Sequence, residues 1–102
     1  MFKIKPDPTF DASVTIVGQG REQKLECTFN HMSRSEYTAM LDAMAKGELE
    51  TADALLKVIH SWNADCDLTR ENVQALCDLQ PGADWAIITG YGDALTVARR
   101  GN

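Results

Sequence analysis

A chain of 102 residues has room for one domain, and a chain of this size buries roughly 60 to 70% of the surface its unfolded form exposes. Ten Lys and Arg against fifteen Asp and Glu give a net charge of −5, which argues against a phosphate-backbone binder and for a protein partner. With 44% hydrophobic and 25% charged residues the composition is that of a globular chain rather than a disordered one, and no apolar run approaches the ~20 residues that span a bilayer. The start, Met1-Phe2-Lys3-Ile4-Lys5, has basic residues but neither the apolar core nor the cleavage site of a secretory signal. Cys27, Cys66 and Cys77 form an odd set without CxxC spacing, so thiols in a reducing cytoplasm are expected.

Phe10, Ala12, Val14 and Ile16 alternate with Asp11, Ser13, Thr15 and Val17, the period of a strand with one buried face. After the loop Gly18-Gln19-Gly20-Arg21-Glu22, Leu25, Cys27 and Phe29 alternate with Glu26, Thr28 and Asn30, which predicts a hairpin. Phe2 and Ile4 are placed to add a short third strand before Pro6 and Pro8 break it. From Ser33 the period changes. Ser33-Arg34-Ser35-Glu36 reads as a capping box, and Tyr37, Met40, Leu41 and Met44 follow at helical spacing to a stop near Gly47. Leu49, Ala52, Leu55, Leu56, Ile59 and Trp62 continue that spacing and predict a central second helix. Thr69 is placed to cap a third helix carrying Val73, Leu76 and Cys77, with Glu71 in its first turn. Pro81 fits the first turn of a fourth, whose Trp85, Ile88, Tyr91, Gly92 and Leu95 are read as one face and whose end carries Arg99-Arg100. Gly90 and Gly92 each cost about 1 kcal/mol against Ala in a helix, and either close packing or a hinge accounts for them.

The fold class is therefore α+β: an N-terminal β-hairpin, or three short strands if Phe2 and Ile4 join it, followed by a bundle of about four short helices. The chain reads as a single domain over 1–102, with a β-hairpin region at 1–32 and a helical region at 33–102. The charge is uneven. Between Val58 and Ala98 the only basic residue is Arg70 among Asp65, Asp67, Glu71, Asp78, Asp84 and Asp93, so the whole net charge of −5 resides there.

Chemistry finds little purchase. Gly18-Gln19-Gly20 and Gly90-Tyr91-Gly92 begin like dinucleotide loops, but Gln23 and Leu95 stand where the third glycine is required, and no Walker loop is present. Asp65-Cys66-Asp67-Leu68-Thr69-Arg70 begins like a calcium loop, yet Arg70 and Leu76 occupy the positions of its glycine and its bidentate Glu. His31 and Cys27 lie ~13 Å apart along an extended strand, and His60 has no ligand one helical turn away, so no metal is expected. No nucleophile has a base within evident reach, and no catalytic residue is assigned.

Several stretches in chain order carry a resemblance: Phe29-Asn30-His31-Met32-Ser33-Arg34-Ser35-Glu36-Tyr37; Ser61-Trp62-Asn63; Leu68-Thr69-Arg70-Glu71-Asn72-Val73 with Leu76; and Gln80-Pro81-Gly82-Ala83 through Tyr91 to Ala98-Arg99-Arg100-Gly101-Asn102. They resemble the tail assembly chaperones of bacteriophages and prophages with long, non-contractile tails. The resemblance spans the chain from the first hairpin onward and is a pattern of structural positions. It implies a non-catalytic cytoplasmic assembly factor, absent from the mature virion and without a cofactor, that coats the tape measure protein and helps recruit major tail tube protein subunits. Neither nucleic acid nor a membrane is implied as a partner. In such families some ribosomes slip back one base near the end of the gene and make a longer product. Arg100-Gly101-Asn102 can be encoded as CGG-GGA-AAC, which contains the slippery heptamer GGGAAAC; other codons there remove this support.

For the partner surface the sequence offers Trp85, Ile88, Tyr91 and Leu95 as an apolar stripe, with Arg99 and Arg100 at its end. The plainer reading of the same stripe is core. Hairpin edges and exposed apolar stripes also make self-association an expectation. The alternative function, from a different class, is a small cytoplasmic regulatory adaptor or inhibitor of a prophage or host that binds a protein target.

Overall fold

The two alternating segments pair as their period requires. In the computed structural model, which describes residues 1–97, β1 (Thr9–Gly18) and β2 (Arg21–Asn30) form an antiparallel hairpin with unbroken register from Thr9 opposite Asn30 to Gly18 opposite Arg21. Gln19 and Gly20 connect them with φ of 53° and 72°, the left-handed pair whose twist matches that of the strands. Val14, Cys27 and Phe29 are buried on one face, while Asp11, Ser13, Thr15 and Val17 are exposed on the other.

The third strand lies elsewhere than the sequence places it. Phe2 and Ile4 are each 87% exposed and belong to no strand. The second helix, α2 (Thr51–Val58), ends before Ile59, which turns extended at φ −94° and ψ 119°, and β3 (Ile59–Trp62) pairs antiparallel with β2 to give the order β1-β2-β3. The spacing of Leu55, Ile59 and Trp62 suits a helix and says nothing against a strand. The outer edge of β2 carries amides and carbonyls that need partners, and satisfying them overrides the local period. Asn63 prolongs the pairing, its amide donating to the Glu26 carbonyl at 3.1 Å and its side-chain Oδ1 accepting from the Glu26 amide at 2.9 Å. A register shift between Thr28 and Phe29 leaves His60 as an exposed bulge.

The helix ends follow the predicted chemistry. At α1 (Arg34–Ala45) the Ser33 hydroxyl accepts from the Glu36 amide at 3.2 Å and the Glu36 carboxylate accepts from the Ser33 amide at 2.9 Å. Those bonds hold the Glu36 carboxyl below its usual pKa. Gly47 closes α1 at φ 74°, with its amide donating to the Met44 carbonyl and the Glu48 amide to that of Ala43, the Schellman pattern. Thr69 caps α3 (Arg70–Leu79) through an Asn72 amide at 3.1 Å. Arg70 then reaches from the start of α3 to Asp53 (Nε to Oδ1, 2.9 Å) and Glu50 at the start of α2. Pro81 is not in the fourth helix. It forms the turn before it with Gly82, whose φ of 93° supplies the left-handed residue that joins α3 to α4 (Ala83–Leu95).

One cluster of buried side chains draws on every element: Val14, Phe29, Met40, Leu55, Ile59, Val73 and Tyr91 are among its members.

Candidate functional site

The sequence gathers Trp85, Ile88, Tyr91, Leu95, Arg99 and Arg100 into one surface, and the structure gives the first four of them unequal exposure. Ile88 and Tyr91 are 3% and 0% exposed, Leu95 is half-buried, and Trp85 is 68% exposed. Arg99 and Arg100 lie outside the described residues. The phase of the helix explains the split. At ~100° per residue Trp85 stands ~120° around the axis from Tyr91, and Ala83, Ile87 and Ile88 complete the buried stripe around Tyr91.

Tyr91 occupies the centre of an aromatic cluster. Its ring centroid lies 6.1 Å from that of Phe10, 5.1 Å from Phe29 and 6.0 Å from Tyr37, edge-on to Phe29. Its hydroxyl donates to the Asn30 carbonyl at 2.7 Å, fastening α4 to the end of β2. Burial, and then the neighbouring Tyr37 and Glu36, push its pKa up to about 12. The two glycines of α4 flank this residue. A Cβ on Gly90 would stand 3.1 Å from a Val14 methyl, and one on Gly92 would strike the Tyr37 hydroxyl. Close packing, the first of the two readings, therefore accounts for both: the missing side chains let α4 settle between β1 and α1.

Among the described residues several concave surfaces remain outside the core, and two of them border the hairpin. The first opens between the hairpin and the α3–α4 corner, as a groove of about 550 Å³ continuous with one of about 480 Å³; Ile16, Arg21, Gln23, Leu79 and Gln80 line both. Ile16, Leu25, Leu76 and Leu79 give it apolar walls, Arg21 and Lys24 stand on the hairpin lip, and Asp65 lies on the opposite one. Leu79 is 80% exposed. The sequence reading missed it, although it was visible as an apolar residue off the Val73–Leu76–Cys77 stripe. The second surface, about 740 Å³, runs along β1 beside Trp85, Thr89, Gly90, Asp93 and Ala94.

Among the described residues every buried side chain is apolar or aromatic, and no three His, Cys, Asp or Glu converge as a metal site. Burial, reinforced by Glu26, pushes the Cys27 thiol up to about 11, and burial with Asp84 and Asp78 raises Cys77, so both are held away from the reactive thiolate. Cys66 is exposed in the loop before α3. No described helix is long and apolar enough to cross a membrane.

No curated protein and no solved structure matches the chain. A family model described as phage tail assembly chaperone matches residues 1–102. The match covers every residue that forms the hairpin, the helices and both grooves, and the chain therefore belongs to the phage tail assembly chaperone family.

Proposed function

We propose that the protein binds the tape measure protein in the host cytoplasm during tail assembly and holds it in the groove between the hairpin and the α3–α4 corner until tail tube subunits take its place. The observation that carries the assignment of the groove is Leu79, 80% exposed beside Leu76 on the α3 wall and facing a hairpin wall that carries Ile16 and Leu25. Membership of a tail assembly chaperone family supports a protein client and a role without catalysis. A tape measure protein is expected to be long and helical, and an amphipathic helix laid between those walls buries its apolar stripe as helix-in-groove complexes do. Arg21 and Lys24 on one lip and Asp65 on the other favour a client carrying both signs of charge.

The same reading includes a longer product made by a one-base slip at Arg100-Gly101-Asn102, which lie outside the described residues. The codons at those positions test it directly. The client assignment is tested by coexpression of tape measure protein with the Leu79→Asp variant. Because Leu79 is exposed, its replacement should change stability by no more than about 0.5 kcal/mol, and copurification of the client should fall at least tenfold. Undiminished copurification would remove the groove from the function.

A further inference from the structure

We propose that residues Met1–Lys5 of one copy add as a strand to the free edge of β1 in a second copy, so that copies join head to tail. The amide of His31 donates to the Pro8 carbonyl at 2.9 Å, which sets the alternation of the hairpin ladder. Phe10, Ala12, Val14 and Ile16 therefore bond to β2, and Asp11, Ser13, Thr15 and Val17 turn their amides and carbonyls to the other side. Among the described residues no strand pairs there. An edge of this kind is ordinarily blunted by lysine, proline, a bulge or shortness. The opposite edge, β3, has four residues and a bulge. β1 has ten residues in unbroken register, no proline or lysine, and Asp11 as its only charge.

The arm has the complementary character. Phe2 and Ile4 alternate with Lys3 and Lys5, the period of a half-buried strand, yet both apolar side chains are 87% exposed. Paired with β1, Phe2 and Ile4 fall toward the groove beside α4, where Gly90 and Ala94 leave room and Trp85 stands at the lip. Lys3 and Lys5 fall on the opposite face, which Asp11 shares. Among the described residues the lining of that groove holds Asp93 and no basic residue. The arm does not serve its own edge: it bends at Ile4 and Lys5, where Lys3 Nζ donates to Asp7 Oδ1 at 3.0 Å, and it pairs with none of the described strands, with Pro6 and Pro8 fixing φ near −65° between it and β1. Because arm and edge are different surfaces, each copy offers one of each, and the contact propagates as an open chain rather than closing as a dimer.

Sedimentation of the purified protein tests this without any client, so its outcome is independent of client binding. The wild type should grow in mass with concentration, and less so at high salt, which screens Lys3, Lys5, Asp11 and Asp93. Removal of residues 1–5 should leave monomers. Thr15→Pro should do the same, since it deletes an amide facing the free edge and otherwise only the exposed hydroxyl that accepts from Lys24, and Ser13→Lys blocks the same face by charge should the proline unfold the chain. Mixing the armless chain with the edge-blocked chain should restore a complex of two chains and no more, with the emission of Trp85 shifted to the blue. A wild type that stays monomeric up to millimolar concentration, an armless chain that associates as the wild type does, or a mixture that fails to pair would each overturn the proposal.

Discussion

The two sides of α4 lie in opposite surroundings. Its inner side presents Ile87, Ile88 and Tyr91, each at most 3% exposed, on a helix packed against β1, α2 and α3. Its outer side presents Trp85, 68% exposed, with Thr89, Asp93 and Ala94 beside a groove. Both sides carry an aromatic residue of the type that dominates interface energies, so residue type alone does not tell core from contact surface. The phase about the helix axis does.

The comparison is broken most severely at Tyr91. Tyr91→Ala removes the centre of the aromatic cluster and leaves the Asn30 carbonyl without its phenolic donor, a loss of about 3 to 5 kcal/mol. At about 4 to 8 °C per kcal/mol for a domain of this size, thermal unfolding should begin well over 10 °C lower. A shift of only a few degrees would mean that the inner side is not core.

An alkaline titration sharpens the same contrast with a smaller effect. The phenol of Tyr91 is raised from 10.0 to about 12 and the thiol of Cys27 from 9.0 to about 11, so the folded state holds both protons more tightly than the unfolded chain. That stability is fully present below pH 9 and is lost as pH rises toward 11 for Cys27 and toward 12 for Tyr91. Melting temperature measured from pH 8 upward should therefore fall above pH 9, and Cys27→Ala should flatten the first part of the decline. A flat profile would show that neither group is desolvated as described. The smallest effect belongs to the outer side: Trp85→Ala should change the stability of the isolated chain by no more than about 0.5 kcal/mol, measured by urea unfolding.

The elements legible in the sequence are those whose signal is local. The hairpin shows as two runs of alternation, and the Ser33–Glu36 and Thr69–Asn72 caps show as residue types at fixed offsets. What stayed illegible depends on partners distant in sequence. Ile59–Trp62 becomes a strand because β2 offers it an edge, while its spacing continues the helix before it. Pro81 meets the rule for a first helical turn, but Gly82 takes the left-handed turn between α3 and α4 and delays the helix to Ala83. The face of α4 was hard to phase because apolar residues occur nearly all round it: Ala83, Trp85, Ala86, Ile87, Ile88, Tyr91, Ala94 and Leu95 leave no wholly polar side. For the same reason the groove beside Leu79 could not be read ahead of the structure; a groove needs two walls, and these come from the hairpin and α3, more than fifty residues apart in the chain.

The shortness of β3 bears on motion. It meets β2 only along Glu26–Phe29, so the sheet is three strands wide near Phe10 and Phe29 and two strands wide toward Gln19. Amides near Phe29 are released to solvent with the unfolding of the whole core, whereas those beside Gly18 and Arg21 need only a local fraying that disturbs no buried side chain. The hairpin is thus a lever, clamped at its root and compliant at its tip, and the groove it borders has one yielding wall and one rigid wall.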